Sequence, residues 1–195
     1  MRIVAGKFRG RAISSPEHEG TRPTSDRVRE AVFNILAHGT ENFVFDGAHV
    51  LDLFAGTGAL GLEALSRGAA TCMFVDDSAD ARGIIRENVE AFGLTGVTKI
   101  FRRDATELGE AGKYAGMSLV FLDPPYGKGL AEKALISAAA GGWLVAGAVV
   151  VIEERKGSNL ALPTDFAAFD QRSWGDTHVT FARYRSTGKH ADGPA

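Results

Sequence analysis

The sequence predicts an α/β fold built on a mostly parallel sheet, and three observations carry that expectation. Between residues 48 and 153, short apolar runs alternate with stretches whose apolar residues recur at helical spacing. Runs such as Met117 to Leu122 and Val149 to Ile152 are continuously apolar, as strands covered on both faces must be. In Val50-Leu-Asp-Leu-Phe-Ala-Gly-Thr-Gly-Ala-Leu-Gly61, a strand stops at a glycine-rich turn and passes straight into a helix. Together these describe a Rossmann-like α/β domain: a mostly parallel seven-stranded sheet with an antiparallel C-terminal edge pair, preceded by a small N-terminal hairpin and helix.

Taken in order, Arg2 to Ala5 and Ala12 to Ser14 flank a basic turn from Gly6 to Arg11 and read as a β-hairpin. Pro16, Gly20 and Pro23 mark a connector, so residues 1–23 form an arm and linker. Thr24 or Ser25 offers a helix N-cap, and Val28, Ala31, Val32 and Ile35 follow at helical spacing to about His38, with Gly39 as the stop and Arg27 exposed. Strands are expected near 48–54, 71–76, 97–102, 117–123 and 147–153, with helices near 58–67, 79–92 and 129–140. Gly68 and Gly93 stand at helix C-caps. Ala167 to Trp174 and His178 to Arg185 form the edge pair around Gly175-Asp176. The main domain spans 24–185, and residues 186–195, without a packing pattern, are expected to be a disordered tail.

Composition narrows the function classes. At 195 residues and 45% apolar content the chain suits one substantial core. A net charge of −2 is no nucleic-acid signature by itself, but the charge is unevenly spread. Arg2, Lys7, Arg9 and Arg11 stand without an acid in residues 1–15, placing +4 there and −6 on the rest. One cysteine, Cys72, excludes an internal disulfide, and its apolar surroundings make it core. The histidines at 18, 38, 49, 178 and 190 have no metal-ligand spacing, so no metal is expected. Trp143 and Trp174 read as core. With no apolar run near eighteen residues and no signal-like start, a cytoplasmic protein with no membrane partner is expected.

The chemistry gathers at strand ends, where open α/β sheets bind ligands. Gly56, Gly58 and Gly61 fit G-x-G-x-x-G, whose glycines let a ligand lie against bare backbone. Asp52, just before that turn, would repel a pyrophosphate but suits an amine and a sulfonium, which favours S-adenosylmethionine over NAD. Asp76 follows Gly56 by twenty residues, the offset at which an acid reaches ribose hydroxyls, and Asp77 competes for the same role. Asp104, before Ala105, can accept from an adenine amino group. Asp123-Pro124-Pro125-Tyr126 closes the fourth strand. Its prolines remove two donors, so carbonyl and carboxylate can hold an exocyclic amine, while Tyr126 offers a face on which an extruded base stacks.

With these motifs and the arm together, the chain resembles the RsmD family of bacterial 16S rRNA guanine-N2 methyltransferases. The resemblance runs from about residue 1 to 185. It is carried by Arg2 to Arg11, by Arg22-Pro-Thr-Ser-Asp-Arg-Val-Arg-Glu30 with Phe33-Asn34, by Asp52 to Arg67 and by Asp123 to Tyr126. It implies a class I methyltransferase fold and transfer of a methyl group from S-adenosylmethionine to the 2-amino group of a guanine in 16S rRNA, on an assembling small subunit. Asp52, Phe54, Gly56, Gly58, Asp76, Asp77, Asp104 and Ala105 would then hold the cofactor, and Asp123 to Tyr126 the base. Lys7, Arg9, Arg11, Arg22 and Arg27 would meet the RNA. The chain departs from the pattern where many relatives carry Glu in place of Asp76, and Asp77 and Asp104 stand where the family varies.

Two other readings compete. A DNA adenine-N6 methyltransferase would use the same loop and a similar Pro-Pro-Tyr signature, but commonly needs a sequence-reading domain for which this chain lacks room. A noncatalytic rRNA-binding assembly factor would have no use for Asp123 and both prolines beside an intact glycine loop.

Overall fold

A computed structural model describes residues 1–15, 26–39 and 42–186. The expected connector, Arg22, the Thr24 or Ser25 cap and the tail from residue 187 lie outside them. One mixed sheet of seven strands runs, edge to edge, through residues 98–101, 71–75, 49–53, 117–122, 144–155, 177–184 and 166–174, as the α/β reading requires. By contact the chain divides into two compact units, Met1–Asp104 and Ala105–Ala195.

The first unit holds α1 (Asp26–His38), β1 (His49–Leu53), α2 (Ala59–Ser66), β2 (Thr71–Val75), α3 (Ala79–Phe92) and β3 (Thr98–Phe101). β1 and β2 pair in parallel from His49↔Thr71 to Leu53↔Val75, and β2 pairs in parallel with β3. Val50, Leu51, Leu53, Cys72, Phe74 and Val75 are essentially inaccessible, as continuous apolar runs in a two-sided sheet should be. Ser78 caps α3 by accepting from Ala81 N, and Gly93 ends it in the left-handed conformation at φ 70°.

The expected N-terminal hairpin reduces to a single antiparallel bridge, Arg2↔Ala12. Its turn does not stand off the unit, because the segment is packed down along its length. Ile3, Phe8 and Ile13 are buried, and Phe8 meets Phe92 of α3 edge-on, with ring centroids 5.2 Å apart. Gly6, at φ +81°, lies so close to α2 that a Cβ would stand 1.9 Å from the Ser66 carbonyl oxygen.

The second unit holds β4 (Met117–Leu122), α4 (Leu130–Ala140), β5 (Leu144–Arg155), β6 (Phe166–Trp174) and β7 (Thr177–Tyr184). β4 and β5 run parallel, with Leu122 opposite Ile152, and β7 pairs antiparallel with both β5 and β6. The edge pair turns through Gly175-Asp176 as expected. β5 starts three residues before the predicted position, because Gly147 at φ 81° and a register shift opposite Met117 and Leu119 carry the strand through what reads as a break. Trp143 is fully buried and donates Nε1–H to the Gly109 carbonyl at 2.9 Å. Trp174 is only half-buried, since it closes the edge strand at the hairpin, and so corrects the expectation of a second core tryptophan.

Candidate active site

The glycine turn in the first unit is held by two acids placed differently. Phe54, Gly56 and Gly58 all take positive φ, at 56°, 56° and 76°. The left-handed conformation at Phe54 carries a cost on the order of 1–3 kcal/mol, of the kind that accumulates at functional sites. Gly58 is the N-cap of α2 and has no side chain to satisfy the first amides of the helix. Asp52 supplies the missing acceptor from β1, its Oδ2 taking the Gly61 N–H at 2.9 Å. Gly61 must be glycine, since a Cβ would lie 2.5 Å from both Cys72 Sγ and Phe74 Cε1.

Asp52 is 2% exposed. Burial pushes its carboxyl up to about 8, against the Gly61 hydrogen bond and with a smaller contribution from the Asp76 charge. At neutral pH its standing negative charge, on which the sequence argument relied, is therefore largely absent from the protein. Burial likewise raises the Cys72 thiol, which is inaccessible and free, in keeping with a core sulfur.

Asp76 closes the other side of the turn. Its Oδ2 accepts from Gly56 N at 2.9 Å and its Oδ1 from Ser78 N at 2.9 Å. Asp77 is exposed beside it. Asp104 is exposed at the end of the first unit, and Ala105 is buried at the start of the second. A fully buried amide the sequence did not single out, Asn88 of α3, donates to the Thr57 carbonyl within the turn at 3.0 Å. The same side chain exchanges hydrogen bonds with Ser14, 2.7 Å from its N–H and 3.1 Å from its carbonyl.

The basic segment is thus tied to the turn. Glu63 of α2, fully buried, accepts from Val4 N at 2.8 Å and Ala5 N at 3.0 Å, and pairs with Arg67 at 2.9 Å. Arg29 of α1, also fully buried, stands 3.7 Å from the same carboxylate and donates to the Arg2 carbonyl. Ser66 Oγ accepts from Phe8 N and donates to the Ala5 carbonyl. Lys7, Arg9, Arg11 and Arg27 are exposed. Of these Arg11 is held to the protein, stacked 4.4 Å over the Phe92 ring and donating to the Ala91 carbonyl.

In the second unit the Asp-Pro-Pro-Tyr sequence leaves the end of β4. Asp123 and Tyr126 are half-buried, Pro124 is buried and Pro125 exposed. The Tyr126 hydroxyl donates to Glu153 Oε1 of β5 at 3.3 Å. The sequence offered a signal for Glu153, an acid ending the apolar run Val149 to Ile152 in the manner of Asp76 and Asp123.

A family model described as conserved hypothetical protein 95 matches residues 1–183. Ribosomal RNA small subunit methyltransferase D of Escherichia coli K12 is 39% identical over 154 residues, 78% of this chain and 74% of that one. The chain belongs to the RsmD family. Its fold is that of the class I methyltransferases. The solved structure described as "Putative methyltransferase yhhF from Escherichia coli" superposes with a TM-score of 0.81 at 29% identity, covering 96% of this chain and 99% of that one. A Thermus thermophilus 16S rRNA N2 G1207 methyltransferase, solved with AdoMet and guanosine, matches with a TM-score of 0.60 at 26% identity, over 87% of this chain and 45% of that one. For a member of the RsmD family, the glycine turn and Asp-Pro-Pro-Tyr stand where the sequence placed them, after β1 and after β4.

Proposed function

We propose that this member of the RsmD family transfers a methyl group from S-adenosylmethionine to the 2-amino group of a guanine in 16S rRNA, within an assembling small ribosomal subunit. The observation that carries the reading is the glycine turn with Asp76 laid across it, together with an Asp-Pro-Pro-Tyr turn at the end of β4. The relative named for small-subunit rRNA and the neighbour solved with guanosine support the choice of substrate.

The residues fit a nucleoside cofactor. A Cβ built on Gly56 would meet nothing nearer than the Phe54 carbonyl at 4.0 Å, so bare backbone faces open space there. Each Asp76 oxygen has accepted one amide and keeps a lone pair for a ribose hydroxyl. This favours Asp76 over the exposed Asp77 as the ribose ligand. The cofactor, when bound, supplies a methyl group already activated by a sulfonium. Phe54 and Gly56 line its bed and Asp104 serves its adenine end, while Gly58, buried with its N–H on the Ala55 carbonyl, shapes the turn.

What remains for the chain is positioning. A guanine 2-amino nitrogen is a poor nucleophile because its lone pair is delocalised into the ring. Asp123 and the carbonyl acceptors of the proline turn would hold its two hydrogens and free that lone pair, with Tyr126 stacking on the base. Asp123 need not remove a proton before methyl transfer, since the nitrogen becomes acidic once alkylated. Lys7, Arg9, Arg11, Arg22 and Arg27 would meet phosphates.

The reading is tested by mass spectrometry of 16S rRNA nucleosides from a strain lacking the protein. One N2-methylguanosine should disappear and return with the wild-type chain, but not with Asp123→Ala. An unchanged nucleoside profile would refute it.

A further inference from the structure

We propose that Glu153 is a positioning residue for methyl transfer, holding the Tyr126 hydroxyl so that the ring stands oriented to receive the base. This rests on the reading of Tyr126 as the residue on which the base stacks.

Three observations within the second unit support it. The Tyr126 hydroxyl donates to Glu153 Oε1 at 3.3 Å. Glu153 follows Ile152, which lies opposite Leu122, the last residue of β4, so its register is level with the start of Asp-Pro-Pro-Tyr. Glu153 is also 6% exposed, at the end of a run of buried apolar residues. Burying a carboxylate is costly unless it is hydrogen-bonded, so an acid in place of another Val or Ile calls for a use.

The geometry suggests that use. Tyr126 sits on a turn followed by Gly127 and Gly129, both at positive φ. Glu153 belongs to a strand paired on both sides, its preceding residue Ile152 lying opposite Leu122 of β4 and Glu153 itself opposite Val179 of β7. A strand paired on both sides thus holds the far end of a ring carried on a loop, and strands hold functional groups more precisely than loops do. At 3.3 Å the bond is longer than the usual 2.7–2.8 Å for O–H···O.

The test is a double-mutant cycle on single-turnover methylation, using small-subunit particles from a strain lacking the protein and saturating S-adenosylmethionine. Tyr126→Phe and Glu153→Ala should each slow the step about tenfold, equal to about 1.4 kcal/mol. The double variant should be no slower than the slower single variant. Glu153→Gln, which still accepts from the hydroxyl, should recover most of the loss, and calorimetric affinity for S-adenosylmethionine should stay within about twofold throughout. Multiplying losses, near a hundredfold for the double variant, or a Glu153→Gln as slow as Glu153→Ala, would overturn the proposal. If Glu153→Ala does not fold, Tyr126→Phe decides alone: a wild-type rate overturns it, and a tenfold loss with unchanged cofactor affinity supports it. A wild-type chain that methylates no rRNA removes this proposal together with the functional reading, whereas an active wild type with multiplying losses removes Glu153 alone.

Discussion

Asp52→Asn offers a direct measure of what the buried acid contributes. The folded chain holds the Asp52 proton up to about pH 8, against the ordinary value of 3.8. Between those values the unfolded chain has released a proton that the folded chain keeps. Stability therefore falls as pH rises, by up to about 1.36 kcal/mol per pH unit, and levels off above the folded value. Asparagine is nearly isosteric with the protonated acid and can still accept from Gly61 N, but it has no proton to release. Urea unfolding at pH 5, 6 and 7 should show Asp52→Asn gaining on the wild type by on the order of 2–3 kcal/mol across the range. Glu154, whose carboxyl burial also pushes up, contributes a slope of the same sign to both proteins and cancels from the difference. A difference that stays constant from pH 5 to pH 7 would refute the reasoning, because Asp52 would then be ionised in the folded protein.

Asp123→Ala should slow single-turnover methyl transfer by about a hundredfold, or about 2.7 kcal/mol, with cofactor affinity little changed; a rate within about threefold of wild type would remove Asp123 from the mechanism. Gly61→Ala forces a methyl group to within 2.5 Å of Cys72 Sγ and Phe74 Cε1, and should cost about 1–3 kcal/mol in urea unfolding, a loss that unchanged stability would contradict. Deleting residues 1–15 removes the backbone partners that the first residues give Glu63, Ser66 and Asn88, so both thermal stability and S-adenosylmethionine affinity should drop. A truncated chain that keeps both would show the segment to be detachable after all.

The sheet was legible because its strands are continuous apolar runs and its helices are bounded by glycines such as Gly58, Gly93, Gly129 and Gly141, so most elements begin and end within a residue or two of expectation. β5 is the exception, because a glycine at positive φ inside a bulge reads as a break. Docking of the basic segment was hidden for a different reason. Its buried residues, Ile3, Phe8 and Ile13, are spaced five apart and match neither a helix nor a strand period. Glu63 and Arg67, four apart on one helix, look like an exposed surface pair, yet Glu63 is fully buried because backbone amides from residues 4 and 5 satisfy it. Arg29 is invisible in the same way, since a charged residue in a helix is read as solvated until a carboxylate is found beneath it. At the site, sequence identified Asp52 and Asp76 as residues of interest but could not say that Asp52 is buried beneath the turn while Asp76 lies across it.

The ties between the first residues and the glycine turn also set an order of events during synthesis. Ala5, Phe8, Ser14 and Arg11 are bonded to residues 58, 58, 74 and 80 positions further along the chain. At roughly 5–20 residues per second, Asn88 joins the chain roughly 4 to 15 seconds after Ser14. Until then Ile3, Phe8 and Ile13 have no complete α3 to lie against, so the residues made first are among the last of their unit to settle. Lys7, Arg9 and Arg11 take up their places on the surface once α2 and α3 have formed beneath them. A nascent chain arrested before Phe92 would carry those cations on a loose thread.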